Sequence, residues 1–246
     1  MEFPIFTPLY SIMWLFMRKI LFAAVALFAG SFMSMAQEVK TLDDYSEVRF
    51  YGIDFAPVKV VAANETVSEF IDAFGKINNL FLTEPDKYIL ALEDRLKKKI
   101  VYVDIDNVVN QISAIDESEL KVNHTPKPLT EQDAEFELQD LDIKPAEGLG
   151  LVILAGELNK GTDYGTFYYV FFDNDTMKVL DVWPFKGKSG GIGLCNYWAR
   201  AYYRTIAEIN PTKFYQSKKK IKAGVTSGVN TVKEKIAGDS DEKKQQ

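Results

Sequence analysis

"GTFYYVFFDNDTMKVLDVWPF", residues 165–185, decides the fold class. Two runs of aromatic and β-branched residues flank Asp173-Asn174-Asp175, and such runs suit the pleated, half-buried surface of a strand. Asp and Asn tolerate the backbone of a tight turn, so the segment reads as an antiparallel hairpin turning at 173–175. Just upstream, "GLGLVILAGEL" (148–158) is continuously apolar and reads as a buried strand. Downstream, Leu194, Tyr197, Trp198, Ala201, Thr205 and Ile209 fall on one helical face. Asn196, Arg200, Arg204 and Glu208 face away, and Pro211 closes the helix.

The preceding half alternates strand and helix signals. "VRFYGIDFAPVKVV" (48–61), broken by Gly52 and Pro57, predicts two short strands or one bent strand near an edge. Val67, Phe70, Ile71, Phe74, Ile77 and Phe81 have helical spacing, with Thr66 and Glu69 forming a capping box. After Thr83-Glu84-Pro85, Tyr88, Ile89, Leu92 and Leu96 line a second helix that ends in Lys97-Lys98-Lys99, where cations meet the negative helix end. "IVYVDID" (100–106) predicts a central strand, and a short helix is favoured over 108–115. Residues 116–128 read as a loop, and Thr130 with Asp133 caps a short helix to about Gln139. This order predicts an α+β fold: one domain, a mixed sheet with a C-terminal antiparallel hairpin, and helices packed against it.

Residues 1–36 are expected to be a signal peptide. Met17-Arg18-Lys19 supplies positive charge, Ile20 to Met33 an apolar run, and Ser34-Met35-Ala36 a cleavage site before Gln37. Residues 5–33 offer the competing reading of a membrane anchor, but Pro8 and Arg18-Lys19 interrupt the run, and the uninterrupted part is shorter than the ~20 residues a span needs. Translation starts at Met1 or at Met17, the latter favoured. The only cysteine, Cys195, cannot form an intrachain disulfide, so packing alone must stabilise the domain expected over 37–216. That body holds 19 Lys and Arg against 30 Asp and Glu, a formal charge of −11, which argues against nucleic acid as its partner. The tail, 217–246, is basic: 8 Lys against 4 acidic residues. Ile221, Val225, Val229, Val232 and Ile236 form a narrow stripe in it, flanked by lysines. It reads as disordered in water, or as an amphipathic segment making weak contact with anionic membranes through Lys218, Lys219, Lys220, Lys222, Val225 and Val229.

"FKGKSGGIGLCNYW" (185–198) poses the functional question. Gly187-Lys188-Ser189 matches the second half of a phosphate-binding loop, but Val182 stands where the first glycine belongs. A dinucleotide fingerprint fails too, because Asn196 replaces its third glycine, and the preceding strand belongs to a hairpin. The glycines therefore read first as a tight strand-to-helix passage, and second as an anion site at the helix N-terminus. Candidate ligand-binding residues are Lys188, Ser189, Gly190, Gly191, Asn196, Tyr197 and Trp198.

"AEGLGLVILAGELNKG", "FYYVFFDNDTMKVL" and "GKSGGIGLCNYWARAYY" together resemble a group of uncharacterised exported proteins of Bacteroides-type bacteria. The shared positions are Phe171, Phe172, Asp173, Thr176, Val179, Leu180, Asn196, Tyr197 and Trp198, within a resemblance covering about residues 146–204. More remotely, the element order is similar to the periplasmic α/β domains of the curli-secretion lipoprotein and the penicillin-binding-protein activators, although the lipobox cysteine of those proteins is missing here. The resemblance implies a fold and a compartment, secreted or periplasmic, and no activity.

Single residues add little chemistry. His124 lies in a loop without metal-ligating neighbours in sequence; Asp104 and Asp106 share a strand face; Cys195 would be reactive at a helix N-terminus only if exposed. Ser68, Ser113 and Ser189 lack a nucleophile-elbow context. No catalytic residue, metal site or cofactor is expected. The favoured reading is a non-catalytic secreted or periplasmic binding or envelope-associated domain, whose partner is an envelope component, peptide or glycan met by surplus aromatics. The alternative is a hydrolase or carbohydrate-active enzyme using dispersed carboxylates, such as two among Asp54, Asp104, Asp106 and Glu157.

Overall fold

The computed structural model describes residues 40–210 and Thr212. The expected signal peptide and the basic tail, with the lysines and valines expected to contact membranes, lie outside the described residues. Those described form β1 (Glu47–Asp54), β2 (Lys59–Val61), α1 (Val67–Thr83), α2 (Pro85–Leu96), β3 (Lys99–Val103), α3 (Asp106–Ile112), α4 (Glu117–Leu120), β4 (Lys121–Val122), α5 (Glu131–Asp140), β5 (Leu149–Asn159), β6 (Tyr164–Asp173), β7 (Lys178–Lys188) and α6 (Leu194–Glu208).

β5 is the centre of one mixed sheet. On one side it pairs parallel with β1 and, further along, with β2. On the other it pairs antiparallel with β6, and β6 pairs antiparallel with β7. β3 extends the sheet beside β1, and β4 beside β2. Leu149 to Ala155 are all buried because both sheet faces are covered, which is why β5 is continuously apolar rather than alternating. The adjacent residues Tyr168 and Tyr169 show the two covers. The Tyr169 hydroxyl meets Thr205 Oγ1 of α6 at 2.8 Å, whereas the Tyr168 hydroxyl accepts the Leu129 N–H ahead of α5 at 3.1 Å.

Capping boxes open α1 and α5. At α1 the Thr66 hydroxyl accepts the Glu69 N–H, and the Glu69 carboxylate accepts the Thr66 N–H at 2.7 Å; Thr130 and Asp133 repeat the arrangement at α5. α1, α2 and α6 then bring a chain of rings onto the sheet. Tyr202 stands edge-on to Phe81 and Phe167 at 5.5 and 5.7 Å, and Phe81 is edge-on to Phe50 at 4.9 Å. Such pairs contribute about 0.5–1.5 kcal/mol each beyond the area they bury.

Several expectations are corrected. β1 lies between β3 and β5 rather than near an edge. It tolerates Gly52 there because the strand bulges between Phe50 and Ile53, with Gly52 at φ +86°, and the buried Asn78 of α1 serves as the missing strand partner. Asn78 accepts the Ile53 N–H and donates to the Ile53 carbonyl, both at 2.8 Å. β3 pairs only with β1 among the described residues, so it is an edge strand rather than a central one, and Val101 and Tyr102 stay exposed. α2 stops at Leu96 because Lys97 takes left-handed backbone, which frees Lys99 to begin β3. The expected loop at 116–128 contains α4 and β4, started by Asp116 accepting the Ser118 N–H.

Candidate functional site

The passage from β7 to α6 is set by steric demands. A Cβ at Gly187 would stand 1.9 Å from the Ala201 carbonyl oxygen, so only glycine lets α6 lie directly on β7. Gly191 and Gly193 take φ of +118° and +82°, turning the chain sharply into α6. One side of the loop is tied to the β5–β6 turn. Ser189 donates from its N–H and hydroxyl to the Asp163 carbonyl at 2.8 and 2.9 Å, and the Tyr197 hydroxyl donates to the Asp163 carboxylate. Lys160 covers the Tyr197 ring at 4.1 Å, and Arg204 donates to the Lys188 carbonyl at 2.9 Å.

The other side of the loop faces α2 across a cleft of about 360 Å³ lined by Lys87, Tyr88, Gly190, Gly191, Asn196, Arg200 and Tyr203. That volume falls at the lower end of the ~300–1,000 Å³ usual for small-molecule sites. Lys87 reaches Glu84 at 2.8 Å and lies 4.7 Å over the Tyr88 ring. Its hydrogen bond to Glu84 holds the ammonium above its ordinary pKa, while burial raises the Tyr88 phenol. Tyr203 is 40 % exposed and braced edge-on by the buried Tyr88 at 5.9 Å. Arg200 is exposed, and its chain runs beside the loop, since a Cβ at Gly190 would sit 3.6 Å from Arg200 Cδ. Its guanidinium makes no hydrogen bond or ion pair among the described residues. The cleft thus offers an unengaged fork of donors, a ring face and bare glycine backbone, with no carboxylate in its lining.

The structure therefore divides the expected binding residues. Gly190, Gly191 and Asn196 line the cleft. Ser189 and Tyr197 anchor the loop from behind, and the Lys188 side chain is exposed on β7. Trp198 is corrected to a core residue: it is fully buried and packs edge-on against Tyr197 at 4.9 Å, so no ligand can reach it.

The dispersed acids do not gather in the clefts described. Asp104 lies just ahead of Ile105, the N-cap of α3, rather than sharing a strand face with Asp106: its carboxylate accepts the Asp106 N–H and the Tyr102 hydroxyl, both at 2.9 Å. Glu157 accepts the Asn159 amide at 2.7 Å. Asp54 is 1 % exposed and accepts the Ala56 N–H at 2.9 Å. Burial pushes its carboxyl up to about 7, the Ala56 N–H opposing and Glu137 and Asp140 adding to the rise. Among the described residues, no three His, Cys, Asp or Glu side chains gather to hold a metal.

Three further clefts carry less. The largest of these, about 500 Å³, joins the end of α2 to Ile209, Asn210 and Thr212 and contains Lys97, which is already paired with Asp94 at 2.9 Å. A second, about 290 Å³, holds Cys195 with Asp72 and Lys76; there burial raises the thiol pKa, opposite to what a reactive cysteine requires. A third is a shallow surface at Lys121–His124. No helix among the described residues is long and apolar enough to cross a membrane.

Sequence reasoning missed Lys87, Tyr88, Arg200 and Tyr203 as site residues. Asn196, Arg200 and Tyr203 are four and three residues apart on α6, a legible stripe. Nothing in the sequence signals that α2, more than a hundred residues earlier, supplies the opposite wall. No family model and no curated protein matches the chain.

Proposed function

We propose that the chain is an exported, non-catalytic, envelope-associated binding domain whose ligand, a peptide or glycan, occupies the cleft between α2 and the 189–193 loop. The observation that carries this reading is Arg200, unengaged among the described residues, beside the exposed Tyr203, in a cleft lined by cations, aromatics and amide on a body of formal charge −11. The antiparallel β6–β7 hairpin is, in this reading, the C-terminal platform that fixes α6 and the loop. The apolar segment before Gln37 and the likeness to exported proteins of Bacteroides-type bacteria support the secreted or periplasmic compartment. The basic tail adds weak contact with anionic membranes.

Saturation-transfer NMR on the full chain with a panel of envelope glycans and peptides tests the proposal. A ligand whose saturable signal disappears in Arg200→Ala supports it. A panel in which no signal depends on Arg200 or Tyr203, or in which a glycan is cleaved, contradicts it, the second result favouring a carbohydrate-active enzyme.

A further inference from the structure

We infer that the ligand of this cleft is a carboxylated saccharide. The inference rests on the binding reading above and adds the ligand's chemistry.

Charge comes first. Lys87 and Arg200 are the cations of the lining, but Lys87 is already matched by Glu84 at 2.8 Å. One positive charge unmatched among the described residues remains, and it suits a single carboxylate group, one of which each ring of an acidic saccharide carries, better than a doubly charged phosphate group. It is also a guanidinium, whose parallel N–H pair fits the two oxygens of a carboxylate. With no partner among the described residues, Arg200 need break no existing ion pair to engage one.

The rest of the lining selects what carries the carboxylate. Tyr203 presents its ring to solvent and is held by Tyr88 at an interplanar angle of 87°, so it forms a braced platform rather than a free side chain. The face of an aromatic ring is negative, and it attracts the polarised C–H bonds on one face of a sugar ring. Asn196 donates to the Ile192 carbonyl at 3.0 Å, which leaves its side-chain oxygen to accept from a hydroxyl. Gly190 and Gly191 carry no side chains of their own, so a sugar ring can approach the loop backbone. A long apolar acid would leave these polar groups unmatched, and a neutral sugar would leave Arg200 unmatched.

The test is isothermal titration of the full chain with digalacturonate, its dimethyl ester and inorganic phosphate, using wild type, Arg200→Ala, Arg200→Lys and Tyr203→Ala. The expected result is saturable binding of digalacturonate, weakened at least tenfold by Arg200→Ala and by esterification. Arg200→Lys should restore part of it, Tyr203→Ala should weaken it severalfold, and phosphate should not compete. Equal affinity for acid and ester, or competition by phosphate at the same concentration, overturns the saccharide-acid assignment. Ester binding as tight as that of the acid, and still dependent on Tyr203, would sink that assignment and leave the cleft reading standing. Binding that ignores every substitution, or no binding of any probe, ends both. Circular dichroism of each variant, all at exposed positions, checks that the fold is intact.

Discussion

Replacing Asp54 by Asn should make the domain more stable above neutral pH and leave it almost unchanged in mild acid. The reason is a buried carboxyl held up to about 7, against an ordinary 3.8, chiefly by its burial. Between those values the unfolded chain releases the proton and the folded chain retains it. The unfolded state therefore binds fewer protons, and stability falls as pH rises from about 4 to about 7, then levels off. At 1.36 kcal/mol per unit the full displacement is worth about 4 kcal/mol. Relaxation around Asp54 makes about 2–4 kcal/mol the expected gain for Asp54→Asn at pH 8. Asn can still accept the Ala56 N–H, and it removes a charge that Glu137 and Asp140 oppose. Urea denaturation of both proteins from pH 4.5 to 8.5, followed by far-ultraviolet circular dichroism, measures the difference directly. A gap that widens with pH is the expected outcome. A gap independent of pH, or wild-type stability that climbs between pH 5 and 8, refutes the reasoning.

Other consequences are equally direct. Gly187→Ala should cost at least about 1–3 kcal/mol in urea unfolding, because the new methyl would meet the Ala201 carbonyl and α6 must shift; unchanged stability would show that α6 does not rest on β7. Asp173 sits at about 2: burial raises it, but hydrogen bonds from Tyr45 and Thr176 and the charge of Lys40 lower it further. Its stabilising effect is present above 3.8 and lost as pH falls toward 2, so Tyr45→Phe should raise the Asp173 carboxyl midpoint in an NMR titration and move acid unfolding to higher pH. Chain recovered from the exported fraction should have a mass that begins at Gln37; an intact Met1 or Met17 there would contradict signal cleavage.

The elements were largely legible in the sequence, and their neighbours were not. Capping boxes at Thr66 and Thr130, the apolar run of β5 and the aromatic runs of β6 and β7 are local signals, and each element stands close to where its residues place it. The bulge at Gly52 hid the inner position of β1, because the partner that completes it, Asn78, lies on a helix. β3 looked central because β-branched residues suit a strand wherever it sits, and composition does not count its neighbours. At the site, glycines and α6 were visible, but an amphipathic tryptophan position cannot tell a ligand contact from a core contact. Trp198 proved to be core, while Arg200, read only as an outward-facing charge, acquired its meaning from Tyr88 and Lys87 across the cleft.

Amide shift mapping of the isotopically labelled full chain at saturating digalacturonate tests the central claim most directly. The account predicts that the largest changes fall on Lys87, Tyr88, Gly190, Gly191, Asn196, Arg200 and Tyr203. Changes centred elsewhere, on the Cys195 side of the loop or at the end of α2, would contradict it.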